Sequence, residues 1–273
     1  MLGRSMLLAA TNSISTGSGG YDTDAQNFIN AVEAADGAAL ESAVKDAYNT
    51  FFLGCKTDSI YTLLRQVLIL AGARTVAGAL VPMVGGAPTN NNFISSDYDR
   101  KTGLKGRTNT WLTVPINNNA SPLLSKHISA WVSSTSPSTA NLIIDQGYGT
   151  NGGSALAEDV GGVPYGGINF SGGWSSFGSP KPSANTFFGI SRSTSTQINI
   201  RRNGSTTQIS QSAAAAAANR PTTYLFRDAD GFYPYTGRLA FVSLGDFLDM
   251  ALFNARVADR KSTRLNSSHV SES

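Results

Sequence analysis

Short apolar runs separated by turn residues fill residues 185–257, and one amphipathic stretch closes the series. In residues 196–202, Ile198 and Ile200 alternate with Gln197, Asn199 and Arg201, which places both isoleucines on one face of a strand. Asn203-Gly204 follows, the pair best suited to the positive φ angles of a two-residue hairpin turn. Residues 222–226 read as a further strand. Residues 238–244, RLAFVSL, are apolar on both faces, so this last strand should be central and covered. Leu244, Leu248, Ala251, Leu252 and Ala255 then share one helical stripe, with Asp246 at its start and Arg256 near its end, where the helix dipole favours them. Together these elements predict the working half of an antiparallel β-sandwich.

The amino-terminal third has a different period. Residues 1–20 end in SISTGSGG, the composition of a flexible linker, and residues 1–21 are read as that linker. Ala25, Phe28, Ile29 and Val32 mark one face of a helix that Asp22 or Thr23 caps and Asp36-Gly37 breaks. A second stripe, Leu40, Ala43, Val44, Ala47, Tyr48 and Phe51, ends at Gly54. Asp58 opens a third, shorter segment with Ile60, Leu63 and Leu64. Residues 22–65 therefore read as a helical segment that packs on itself and on an edge or face of the sandwich. From Gln66 the run VLILAGA suits a buried strand, and residues 66–258 read as the sandwich with its closing helix. Short strands follow around residues 103–104, 111–114, 128–132 and 142–144. In the third of these, Ile128, Ala130 and Val132 share one face while His127, Ser129 and Trp131 share the other. Residues 147–183 are Gly-rich, hold Tyr148, Tyr165, Phe170, Trp174 and Phe177, and read as irregular loops with one or two thin strands. The alanine run 213–218 reads as a loosely structured connection.

The strand, Asn-Gly turn, return strand and final RLAFVSLG running into a short helix resemble the end of a laminin G-like, concanavalin A-like jelly roll. More narrowly, they resemble the carboxyl end of such domains in tailed-phage and prophage virion proteins. DTDAQNFINAV followed by two short helices agrees with that narrower group, and the resemblance spans residues 22–257. It implies a mainly β, antiparallel jelly-roll sandwich with a small helical amino-terminal part. It also implies a virion-associated binding or structural module, made in the bacterial cytoplasm and carried on the phage particle. The expected partners are other virion proteins and a cell-surface glycan. The pattern is structural and carries no catalytic motif. Residues 259–269, DRKSTRLNSSH, resemble a translated sequencing adapter, so residues 259–273 are expected not to belong to the native protein.

Composition narrows the functions. Charged residues make up 14% of the chain and the net charge is +3, with no basic stripe of the kind that nucleic acid requires. Arg201-Arg202 beside the hairpin turn reads as a solvated edge. Cys55 is the single cysteine and reads as a small buried apolar residue. No apolar run is long enough to insert in a membrane. The glycine pairs at 152–153 and 166–167 do not open a helix, so a nucleotide-binding loop is not indicated.

Candidate chemistry is sparse. The E-x-D-x-x-E arrangement of the jelly-roll glucanases is missing. Glu158-Asp159 is the nearest pair of acids, and adjacent strand residues point to opposite faces, so a glycan hydrolase or lyase is the alternative rather than the first reading. Asp228 and Asp230 could help hold a calcium ion, but the other ligands of a calcium loop are missing, and a turn accounts for both. Trp174, Tyr233 and Tyr235 are the candidate ligand-binding residues, because a flat ring can lie against the C–H face of a sugar.

Overall fold

The computed structural model describes residues 20–267, apart from 138–139, 148–149, 162 and 221. The linker expected at residues 1–21 falls almost wholly outside this range, as do Tyr148 and the end of the adapter-like tail. The helices are α1 (Thr23–Asp36), α2 (Ser42–Thr57), the one-turn α3 (Val76–Ala79) and α4 (Met250–Ser267). The first sheet contains β1 (Leu64–Leu68), β2 (Pro82–Val84), β4 (Tyr98–Asp99), β5 (Gly103–Lys105), β7 (Lys126–Ser134), β13 (Thr186–Arg192), β14 (Gln197–Arg202), β15 (Ser205–Ser210) and β17 (Arg238–Gly245). Its order is β15-β14-β13-β7-β17-β1-β2, with β5 and then β4 branching from β17. The second sheet contains β3 (Thr89–Asn91), β6 (Trp111–Val114), β8 (Ala140–Asn141), β9 (Ile144–Gln146), β10 (Ser154–Val160), β11 (Val163–Gly167), β12 (Ser175–Ser176) and β16 (Thr223–Leu225). Its order is β12-β11-β10-β9-β16-β6-β3, with β8 beside β10. Every pairing described is antiparallel, so the chain is a mainly β sandwich, as expected.

Alternation explains the sandwich. Ile128, Ala130 and Val132 of β7 face the second sheet and join Ile190, Ile198, Ile200, Leu156 and Leu225 in the core between the sheets. Trp131 faces the other way. In β17, Leu239, Val242 and Leu244 face inward, while the register shift around Leu239 and Phe241 turns both Ala240 and Phe241 outward. The central, covered position expected for this strand is the one it occupies. Asn203 and Gly204 join β14 to β15 at φ +49° and +79°, the two positive angles of a type I′ turn.

The outer face of the first sheet is covered by α1, α2 and α4. Asp22 caps α1, its Oδ1 accepting from Asp24 N at 3.0 Å, and Gly37 ends it at φ +67°. Ala25, Phe28, Ile29 and Val32 are buried, as the stripe predicts. Phe51 of α2 and Phe253 of α4 each meet the Phe241 ring at 5.8 Å, so helices and sheet share one core. Helix α2 runs past Gly54 to Thr57. The third helical segment is one 3-10 turn, Tyr61–Leu63, and β1 begins at Leu64, earlier than the VLILAGA run suggests.

Two further readings change. The closing helix starts at Met250, because Asp249 Oδ1 accepts from Ala251 N at 2.7 Å and Leu252 N at 3.1 Å. That start puts Leu248, Met250, Phe253 and Val257 in the core and leaves Ala251, Leu252 and Ala255 exposed. Asp246 instead pairs with Arg65 at 2.7 Å. Residues Asp259 and Arg260 continue α4, and Arg260 is buried. The Gly-rich stretch 147–183 also supplies true strands: β10 and β11 form a hairpin within the second sheet. The alanine run stays non-helical, with one bridge from Ala213 to Phe170.

Candidate functional site

The outer face of the second sheet is built from small residues with rings laid over them. Leu156 of β10 points into the core, so Ala155 and Ala157 point outward. With Leu142 they form a small apolar floor, on which Tyr165, Trp174 and Tyr233 pack while staying half-exposed. Tyr165 sits opposite Ala157 in the ladder. The neighbouring glycine is obligatory: a Cβ on Gly166 would lie 2.6 Å from the Ala155 carbonyl oxygen and 2.9 Å from Phe177. This is why the segment looks like a loop in sequence. Its strands are made of glycine and alanine, and its large side chains lie above them.

The loop after β16 completes the face. Asp145 lies on this side of the sheet, its Oδ2 accepting from Ala229 N at 2.9 Å and its Oδ1 from Gly147 N at 2.7 Å. Asp228 is buried, and its Oδ1 accepts from Phe232 N at 2.7 Å and Tyr233 N at 3.3 Å. The Leu142 amide donates to the Tyr233 carbonyl at 3.0 Å. The Arg227 guanidinium lies 4.0 Å from the centre of the Trp111 ring. These bonds hold Phe232 at the loop tip with 75% of its surface exposed, beside Tyr233. Phe232 is the functional candidate that sequence reading passed over; a lone phenylalanine in GFYPYTG carries no periodic signal.

The candidate residues therefore separate. Trp174 and Tyr233 come together on the outer face. Tyr235 does not: its side chain is 0% exposed and packs against Phe226 in the core between the sheets, so no ring face is open to a ligand. Asp228 works as the acceptor of a turn, and Asp230 is exposed on the same loop. Among the described residues, no three carboxylate, histidine or cysteine groups converge as a metal site would need.

The nearest acid pair is structural in placement. Glu158 and Asp159 lie on β10 and are both fully buried. Glu158 Oε1 accepts from Ser136 N at 2.9 Å and Oε2 from the Tyr235 hydroxyl at 2.6 Å; Asp159 pairs with Lys181. Burial raises the Glu158 pKa to about 7. Neither carboxyl faces an open groove where a glycosidic bond could lie between them. His127 is buried, with Nδ1 2.6 Å from the Asp246 carbonyl oxygen and Nε2 2.8 Å from Ser243 Oγ, and burial lowers its pKa to about 4. The buried Cys55 thiol is pushed up to about 12, so it stays protonated, as a packing residue should. Among the described residues, no helix is long and apolar enough to cross a membrane.

No family model matches the chain, and no curated protein matches it. Several solved structures are similar in backbone. Domain 4 of AbnA, a GH43 extracellular arabinanase from Geobacillus stearothermophilus, solved with arabinotriose, is 14% identical; the match covers 62% of this chain and 81% of that one at a TM-score of 0.42. The botulinum neurotoxin serotype D binding domain is 14% identical over 74% of this chain and 52% of that one, at a TM-score of 0.49. A botulinum neurotoxin type C structure, described as entering cells through two ganglioside molecules, is 15% identical over 73% and 53%, at 0.48. The matches cover about half the length of the two toxin chains. The two-sheet sandwich itself is read from this chain's own strand pairing.

Proposed function

We propose that the chain is a carbohydrate-binding β-sandwich module, and that it binds glycan on the outer face of the second sheet. The observation that carries this reading is the gathering of half-exposed Tyr165, Trp174 and Tyr233 on one apolar floor, beside the projecting Phe232. A sugar ring offers one apolar C–H face, and an aromatic ring offers a flat surface for it. Packing from beneath fixes the rings in advance, so less side-chain freedom is lost on binding. The finer reading is attachment or decoration on a tailed-phage or prophage particle, with other virion proteins as partners. It rests on the sequence resemblance of residues 22–257.

A glycan array with the whole chain tests the binding. Retention of one glycan class is expected, with loss in Trp174→Ala and Tyr233→Ala at unchanged unfolding midpoints. Equal retention by these variants would move the site elsewhere. Release of reducing sugar from the bound glycan would favour the hydrolase instead. The virion reading is tested by the genes that flank its own: structural genes of a tail are expected, and a metabolic operon would count against it.

A further inference from the structure

A concavity lies at the edge of the sandwich, between the β14–β15 hairpin and the segment that follows β12, with an apolar floor and a polar wall. It measures ≈ 170 Å³ and is lined by Phe177, Pro180, Ile200, Arg202, Asn203, Ser205 and Thr207. That is below the roughly 300–1,000 Å³ of a drug-sized site and suits one small ring. The hairpin register explains the lining. Ile200 sits opposite Thr207 and Arg202 opposite Ser205, so all four side chains share the inward face of β14 and β15. Strand β15 is the sheet edge and is exposed over most of its length, which opens that face to solvent.

The wall is pre-set. Asn203 Oδ1 accepts from Ser183 N at 2.8 Å and its Nδ2 donates to the Lys181 carbonyl at 3.0 Å, which ties residues 178–183 to the hairpin. Arg202 donates to the carbonyls of Gly178 at 2.7 Å and Ser179 at 3.5 Å. A guanidinium has five N–H donors, so several remain. Among the described residues, no carboxylate pairs with Arg202. Burial lowers its pKa, as befits a cation that has lost solvent without gaining a counter-ion. The hydroxyls of Ser205 and Thr207 are exposed at the same wall.

We propose that this concavity binds a carboxylate-bearing monosaccharide. The Arg202 fork takes the carboxylate, a planar match that a neutral sugar cannot use. Ser205 and Thr207 bond the ring hydroxyls, and Phe177, Pro180 and Ile200 lie under the ring C–H groups. The site is distinct from the aromatic face: Phe177 belongs to the core between the sheets, whereas Trp174 packs on the outside of the second sheet.

The test is a titration of the whole chain, followed by NMR, with galacturonate, galactose and acetate. Galacturonate is expected to shift Arg202 and Thr207 resonances, to bind more weakly at higher salt, and to bind more tightly than either control. Arg202→Gln should weaken it roughly tenfold to a hundredfold, the range for a hydrogen bond to a charged group. Thr207→Val should weaken it less, and it leaves the Gly178 contact intact should Arg202→Gln disturb the loop. Galactose binding as tightly removes the role of the carboxylate, and acetate binding as tightly removes the sugar. No shift with galacturonate overturns the site. Loss of the galacturonate shifts in Trp174→Ala would place the ligand on the aromatic face instead. Failure here leaves the glycan-array result for that face unaffected.

Discussion

The Tyr235 hydroxyl lies 2.6 Å from Glu158 Oε2 and 3.1 Å from the Ser134 carbonyl, closing a polar chain inside the sandwich. Glu158 Oε1 accepts from Ser136 N in both protonation states, and the Tyr235 hydroxyl donates to an ionised Glu158. Once Glu158 is protonated, its own O–H can donate to Tyr235, whose hydroxyl turns to the Ser134 carbonyl. Every group is then satisfied without a buried charge.

That arrangement sets a pH dependence. Burial raises the Glu158 pKa from 4.5 to about 7, against the pull of its hydrogen bonds. The folded value is above the unfolded one, so the contribution to stability is full below 4.5 and is lost as pH rises through 7. The loss is about 3 kcal/mol at one pKa unit per 1.4 kcal/mol. Glu158→Gln cannot ionise and should escape it. Urea unfolding at pH 5 and pH 8 should show wild type losing ground to the variant at the higher pH; a gain would refute the neutral carboxyl.

The hairpin gives a backbone test. Gly204 has φ +79° and open space around its Cα, so a side chain there meets no neighbour but the wrong dihedral. Gly204→Val should destabilise the chain by roughly 1–3 kcal/mol. Gly204→Asn should cost less, since Asn tolerates that region. Equal midpoints for Val and Asn would show that the turn is not type I′.

The start of α4 predicts a contrast between two leucines. Leu248 is 2% exposed and Leu252 is 40% exposed. Leu248→Ala should cost about 2–5 kcal/mol, and Leu252→Ala should stay within about 0.5 kcal/mol. Thermal unfolding of the pair decides the register, because a helix begun at Asp246 would bury both leucines on one stripe and make the two substitutions cost alike.

The helical layer is predicted to be inseparable from the sheet it covers. Phe51 meets Phe241 across the layer boundary, and Val67, Trp131 and Phe187 share the same core. Phe51→Ala should cost about 3–5 kcal/mol. A fragment of residues 66–258 should expose that face and aggregate; a monomeric fragment with the full midpoint would show an independent sandwich.

Much of the fold could be read from periodicity. Ile198 and Ile200 fixed a face, Asn203-Gly204 fixed a turn, and the α1 stripe matched the buried residues one for one. What failed had no period to read. Tyr233 and Tyr235 are two residues apart, yet one lies on the surface and the other in the core, because Pro234 sits in a loop whose path depends on Asp145 and Asp228. The β10–β11 hairpin was hidden because its glycines are there for close packing against Phe177 and Gln211. Arg202 looked like an edge charge, and only the pairing of β14 with β15 turns it toward a concavity. The α4 stripe was misassigned because apolar residues occur on both sides of the true one, and Asp249 decides between them.

The helical cover on the first sheet gives the molecule a back and a front. Chain entering through Gly20 and Tyr21 meets the body on the back, where Asp22 is tied to Lys56 and Asn49. Trp174, Tyr233 and Phe232 belong to the front, two sheets away. Tyr21 and the ring cluster therefore lie on opposite outer faces of the layered body. A glycan bound at the rings, as proposed, would face away from the helical layer, so orientation is built into the layering.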